Sequence, residues 1–113
     1  MLDYEKLDVY QVSIELLAII VPILEQIPKG NVVLVDQLKR ASFSILLNIA
    51  EGAGKTSTPD KQRFYSIARG SAMESGAILD ICKVLKLIDS ATYQKAKDLL
   101  VRVVGMLSKM CGF

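Results

Sequence analysis

Thr56-Ser57-Thr58-Pro59-Asp60 separates two long stretches in which apolar residues recur every three or four positions, and reading it as a break between helices decides the fold. Proline cannot donate the backbone bond a helix interior needs, but its fixed φ suits the first helical position. Thr58 is therefore expected to cap a new helix, with Pro59 as its first residue. Working outward, Pro28-Lys29-Gly30-Asn31 ends one helix and restarts the chain, and Asp89-Ser90 offers a cap for another. These breaks predict helices over 5–27, 33–54, 59–88 and 91–110. No alternating strand pattern of useful length occurs. Short connections between long helices make them antiparallel neighbours, so residues 1–113 are expected to form one all-α domain, an antiparallel up-down-up-down four-helix bundle.

Composition narrows the class. A chain of 113 residues that is 51% apolar can bury a sizeable core, and its mean hydropathy of +0.35 excludes disorder. The longest uncharged run of the first helix is Leu16 to Leu24, bracketed by Glu15 and Glu25. That is far short of the roughly 20 residues needed to cross a bilayer. No basic start with a cleavable small-residue site precedes it. The expectation is a soluble, cytoplasmic protein without a membrane partner. Cys82 and Cys111 are too few and too far apart to read as a disulfide framework or zinc site, and are expected to be buried thiols. The chain has no histidine. This removes the Glu-x-x-His di-iron arrangement of helical bundles, histidine-based triads and most catalytic zinc sites. No metal and no cofactor is expected.

The first helix carries two apolar stripes. Leu7, Tyr10, Ile14, Leu17, Val21 and Leu24 form one, and Val9, Val12, Leu16, Ile19 and Ile23 the other. At about 100° per residue they lie on nearly opposite sides, whereas packing in a monomeric bundle needs an apolar arc of about 100° or somewhat more. The second stripe is expected to face another subunit. Pro22 is expected to bend this helix. In the second helix Leu34, Leu38, Ala41, Ile45 and Ile49 face the core, while Phe43, Leu46 and Leu47 point elsewhere. The fourth is an ordinary amphipathic helix, burying Tyr93, Ala96, Leu100, Val103, Leu107 and Met110. The asymmetry predicts a homo-oligomer built mainly through helices 1 and 2.

Three motifs bear on chemistry. Gly52-Ala53-Gly54-Lys55-Thr56 looks like the end of a phosphate-binding loop, but its first glycine is replaced by Ile49 and a helix precedes it, so the glycines are read as a helix end. Gln37, Arg40, Ser44, Asn48, Glu51 and Lys55 share one side of helix 2. On helix 3, Ile67, Ser71, Glu74, Ile78, Ile81 and Leu85 form a stripe that sets Glu74 in a mainly apolar row. A buried carboxylate needs a partner or a raised pKa. Asn48, Glu51, Ser71 and Glu74 are thus read as a buried polar network that fixes helix register, with a general acid or ligand site as the other reading. Ala68, Gly70, Ala72 and Gly76 fit close helix packing. Finally, residues 1–30 carry two basic and five acidic side chains, but residues 31–69 carry six and three. Those six, Lys39, Arg40, Lys55, Lys61, Arg63 and Arg69, are the candidate nucleic-acid surface, and oligomerisation would multiply it.

Gln37-Leu38-Lys39-Arg40-Ala41, Ser44-Ile45, Asn48-Ile49-Ala50-Glu51-Gly52, Phe64 and Ala68-Arg69-Gly70-Ser71-Ala72-Met73-Glu74 occur in this order over most of the chain. In this the chain resembles the four-helix-bundle family of bacterial 23S rRNA intervening-sequence proteins, and is similar to the accessory variability protein of diversity-generating retroelements. Leu46 stands where family members often have proline. The resemblance implies an antiparallel bundle commonly assembled as a pentamer, a basic barrel that binds nucleic acid and partners a reverse transcriptase. The leading expectation is a non-enzymatic homo-oligomer, a pentamer, that binds RNA or DNA backbone through pooled basic side chains. The alternative is a protein-interaction scaffold that docks a partner such as a reverse transcriptase, with nucleic acid incidental. An enzyme using Glu51 and Glu74 is weakest, since no nucleophile–base pair accompanies them.

Overall fold

The computed structural model describes Met1–Phe113 as four helices preceded by one short turn, with no strand: α1 Asp8–Gln26, α2 Val32–Ala53, α3 Thr58–Val84 and α4 Ser90–Met110. Each helix packs against two others in the closed cycle α1–α2–α3–α4, and the diagonal pairs stay apart, which is the up-down-up-down arrangement. No helix is long and apolar enough to cross a membrane.

The ends of the helices refine the expectation. Asp3–Lys6 forms a 3-10 turn and Leu7 is extended, so α1 begins at Asp8 and not at residue 5. This geometry sets Tyr4 edge-on to Tyr10, with ring centres 4.7 Å apart. The cap of α3 is Ser57, whose hydroxyl accepts from the Asp60 N–H at 3.3 Å. Thr58 is the first helical residue and Pro59 the second, where a missing N–H still costs nothing. α3 stops at Val84 and not at 88. There Lys86 turns left-handed (φ 60°), and the Lys86 and Leu87 N–H groups return to the carbonyls of Lys83 and Cys82 at 3.0 and 2.9 Å. Asp89 caps α4 as expected, its carboxylate accepting from the Thr92 N–H at 2.8 Å.

The core shows which stripes face inward. On α1, Val9, Val12, Leu16, Ile20, Ile23 and Ile27 are buried, while Ile14 and Val21 are exposed and Tyr10, Leu17 and Leu24 are half-buried. The helix is indeed two-sided, but the stripe expected to face a neighbour is the inner one. Ile20 and Ile27 extend it, and Ser13 joins it at little cost because its hydroxyl donates to the Val9 carbonyl at 2.7 Å. α1 runs unbroken through Pro22. On α2, Phe43 and Leu47 point outward as expected, but Leu46 is buried. Cys82 is buried and Cys111 half-buried, both as free thiols.

α3 departs most from expectation. Its core face is Tyr65, Ala68, Ala72, Ser75, Gly76, Ile78, Leu79 and Cys82; of the expected stripe Ile78 is buried and Ser71 half-buried, whereas Ile67, Glu74, Ile81 and Leu85 are exposed. The inward face is built of small residues because α2 approaches closely. A Cβ on Gly52 would lie 2.7 Å from Cε1 of the Tyr65 ring and 3.2 Å from the Lys61 carbonyl. Of the glycines named for close packing, Gly76 is buried, but Gly70 faces open space.

A polar cluster ties α3 to α4. Asp80 Oδ1 accepts from Lys97 Nζ at 2.8 Å and from the Tyr93 hydroxyl at 2.5 Å. The Lys97 bond, then the Tyr93 bond, holds the Asp80 carboxyl below its ordinary value.

Two predictions follow from this packing. Gly52→Ala gains helix propensity but overpacks Tyr65, and should destabilise the protein by about 1–2 kcal/mol in urea unfolding. Because the folded pKa of Asp80 is depressed, its stabilisation is present above the ordinary carboxylate value of about 4 and is lost as pH falls through the folded value. Asp80→Asn should therefore lower stability at pH 7, by under about 1 kcal/mol for so exposed a pair, and thermal melts of the two proteins should converge in acid.

Candidate nucleic-acid interface

α2 and α3 form one long hairpin, and the six basic residues singled out in the sequence lie along it in three settings. Lys39 and Arg40 are exposed near its middle. Arg40 reaches Asp36 one turn away at 3.8 Å, with both side chains more than half exposed, a geometry that restrains the guanidinium little. Lys39 has no acidic partner, and its ammonium lies 5.8 Å from the Phe43 ring centre. Lys55 and Arg63 stand at the turn. They share one aromatic ring: Lys55 Nζ is 5.1 Å and the Arg63 guanidinium 4.4 Å from the centre of Phe64. Lys55 also pairs with Glu51 at 3.4 Å.

The remaining two are engaged inside the fold. Lys61 Nζ donates to the carbonyls of Ala53 at 3.0 Å and Gly52 at 3.4 Å, placing its charge at the C-terminal end of α2. Arg69 Nε donates to the Ser108 hydroxyl at 2.8 Å and its guanidinium lies 5.2 Å from the Phe113 ring, so it braces α3 against α4. Gly52 lies roughly 18 Å along α2 from Arg40. Four of the six residues therefore make two separate basic groups, Lys39 with Arg40 and Lys55 with Arg63, while Lys61 and Arg69 serve the fold.

Cation and aromatic neighbours were not apparent in the linear order, yet each of the three phenylalanines carries a Lys or Arg on its ring. Phe43 could have been found from its spacing of four from Lys39. The meeting of Lys55 with Phe64 is a product of the turn.

The polar network is smaller than expected and centres on Ser44. Its hydroxyl oxygen accepts from the Ser71 hydroxyl at 2.8 Å and from the Asn48 amide at 2.9 Å, joining α2 to α3. Asn48 also donates to the Ser44 carbonyl, and Ser75 to the Ser71 carbonyl. Asn48 and Ser71 thus take part, but Glu51 and Glu74 do not. Both are exposed, with Glu51 turned to Lys55. The expectation for Glu74 fails because, Ile78 and Ser71 apart, the stripe containing it turns outward. Having accepted twice, Ser44 has its own proton free, and it opens on a groove of about 430 Å³ lined by Gln37, Arg40, Ala41, Ser44, Ser71 and Glu74. Asn48, Glu51 and Lys55 line a second hollow with Tyr4 and Leu47. The two carboxylates open onto different hollows and cannot act as an acid–base pair. The first groove supplies donors from Arg40, Gln37 and a serine hydroxyl, which suit a phosphate or base acceptor.

Among known families, the model described as 23S rRNA-intervening sequence protein matches residues 5–109. Comparison with curated proteins finds no match.

The network distinguishes two substitutions. Ser44→Ala removes the acceptor shared by Ser71 and Asn48 and should cost about 1–2 kcal/mol in urea unfolding. Glu74→Gln, at an exposed position, should stay within about 0.5 kcal/mol of the parent protein.

Proposed function

The chain belongs to the family of 23S rRNA-intervening sequence proteins, and on that footing we propose that it is a non-enzymatic homo-oligomeric bundle, a pentamer, that binds RNA or DNA through backbone phosphates. The observation that carries this reading is the α2–α3 hairpin, which presents Lys39, Arg40, Lys55 and Arg63 outward with only Asp36 and Glu51 paired against them. Four cations in two groups are a small footprint for one copy. Phosphate affinity rises with the number of contacts, so a ring pooling the hairpins of several copies gains what one copy lacks. The exposed apolar side chains Ile14, Val21, Phe43 and Leu47 on α1 and α2 supply a reason to associate. Recognition rests on shape and charge, since three of the four cations, Lys39, Lys55 and Arg63, lie against phenylalanine rings and are not arranged as base-reading forks.

A second reading is favoured by one specific observation, the outward Ile67, Met73, Ile81 and Leu85 of α3, about half exposed. This face suits docking of a protein partner such as a reverse transcriptase, with nucleic acid held incidentally.

The test is binding of a labelled structured RNA and a DNA duplex across a salt titration, for the parent protein, the Lys39→Ala/Arg40→Ala double variant and Arg63→Ala. The expected outcome is micromolar or tighter binding whose log affinity falls linearly with log salt, with a shallower slope in both variants. No binding at about 50 mM salt, where phosphate contacts are strongest, would overturn the reading in favour of the scaffold.

A further inference from the structure

We propose that the groove between α2 and α3 holds one unpaired guanine base; this rests on the nucleic-acid reading above and adds a single base contact to it. The groove, of about 430 Å³, has the size of a small-ligand site, roughly 300–1,000 Å³. Its α2 wall carries Gln37, Arg40 and Ser44 on one side of the helix, and its α3 wall carries Ser71 and Glu74. Ala41, which is buried, is the one apolar residue of the lining.

The two walls have opposite chemistry, and the fold consumes neither. Arg40 meets only Asp36, at 3.8 Å, and its side chain is 81% exposed. Gln37 offers an amide on the turn before it. Ser44 accepts from Ser71 at 2.8 Å and from Asn48 at 2.9 Å, which leaves its own proton to give. The α2 wall therefore donates. Across from it, the ionised Glu74 can only accept. None of the chain's four ion pairs includes Glu74. Its neighbours one turn away on α3, Gly70, Ser71, Ala77 and Ile78, carry no charge.

Glu74 decides what the groove takes. A phosphate would suit Arg40, Gln37 and Ser44, but would face the Glu74 carboxylate as a like charge. The ligand must show acceptors to α2 and donors to α3. Among the four bases, guanine alone joins two adjacent donors, N1–H and the N2 amine, to two adjacent acceptors, O6 and N7. A carboxylate accepts the two donors side by side, and an arginine donates to O6 and N7. Adenine turns its N1 acceptor toward the carboxylate, and cytosine and uracil each show one donor group between or beside acceptors. Base pairing occupies N1–H and the N2 amine, so the guanine comes from a loop, a bulge or a free nucleotide. Lys39, next to Arg40 and without an acidic partner, remains for the phosphate beside it. The cations thus position the strand, and the groove specifies one base.

Three labelled RNA hairpins test the assignment, alike except for one loop position that is guanosine, inosine or adenosine among uridines. Inosine lacks only the N2 amine. Affinities are measured by fluorescence anisotropy at about 50 mM salt for the parent protein and Glu74→Gln, with circular dichroism checking the fold. The parent is expected to bind the guanosine hairpin about tenfold tighter than the other two. Glu74→Gln is expected to narrow the guanosine-to-inosine ratio to under about threefold. The ratio cancels any general gain in phosphate affinity from removing a negative charge. Should the variant not fold, the parent's ranking of the three hairpins still decides. Calorimetry with guanosine and adenosine monophosphates identifies the source of the base. Heat from the first alone upholds a free-nucleotide site, and a preference confined to the hairpins upholds a strand-borne one. Equal affinity for the three hairpins with no heat from guanosine monophosphate, or a preference that Glu74→Gln leaves intact, would overturn the groove and leave phosphate binding standing. If no hairpin binds but guanosine monophosphate does, the reading above falls and the groove stands; if neither binds, both fall.

Discussion

The close approach of α2 and α3 is the constraint on which the rest of the structure depends. Gly52 leaves room for the Tyr65 ring, and the Ser44 and Ser71 hydroxyls meet directly across the gap at 2.8 Å. Lys61 completes the joint by crossing to the last carbonyls of α2. A hydroxyl-to-hydroxyl bond between two helices demands short separation along the whole hairpin, because serine side chains are short. The inward face of α3 is accordingly Ala68, Ala72 and Ser75, with Ile78, Leu79 and Cys82 filling the space beyond the serine pair.

What is small inside leaves what is large outside. Ile67, Met73, Ile81 and Leu85 of α3 remain on the surface, and α1, with apolar residues on both sides, leaves Ile14 and Val21 there too. Scattered apolar residues are normal on a protein surface, but these run along helices at helical spacing, and Met73 lines the groove between α3 and α4. The bundle thus keeps its tightest joint between α2 and α3 and leaves apolar side chains exposed on α1, α3 and α4.

The same geometry sorts the charges. Equal formal charge does not mean equal availability: Lys61 and Arg69 satisfy carbonyl and hydroxyl groups of their own chain, while Lys39 and Arg63 keep aromatic neighbours that leave the cation open to an anion. Membership of the 23S rRNA-intervening sequence protein family gives the open cations their context. The proposed phosphate-binding surface is therefore the residue left once the fold has taken the cations it needs.

The fold was legible from the sequence because helix breaks are local chemistry. Pro28, Gly30, Pro59 and Asp89 act on their own few neighbours, so four helices and their order could be read without knowing what they pack against. The two-sided character of α1 was legible for the same reason, as was the row Gln37, Arg40 and Ser44 on one side of α2. Which stripe of α1 or α3 turned inward was not, because periodicity identifies faces without ranking them. The larger, more apolar stripe of α3 looked like the core, and only the short distance to α2 made alanine and serine the better fit there. Glu74 was misplaced with that stripe. By itself, then, the sequence determined the elements, the Asp89 cap and the candidate cations. The tertiary structure alone decided which faces are buried and which cations are already engaged, since both depend on how near one helix lies to another.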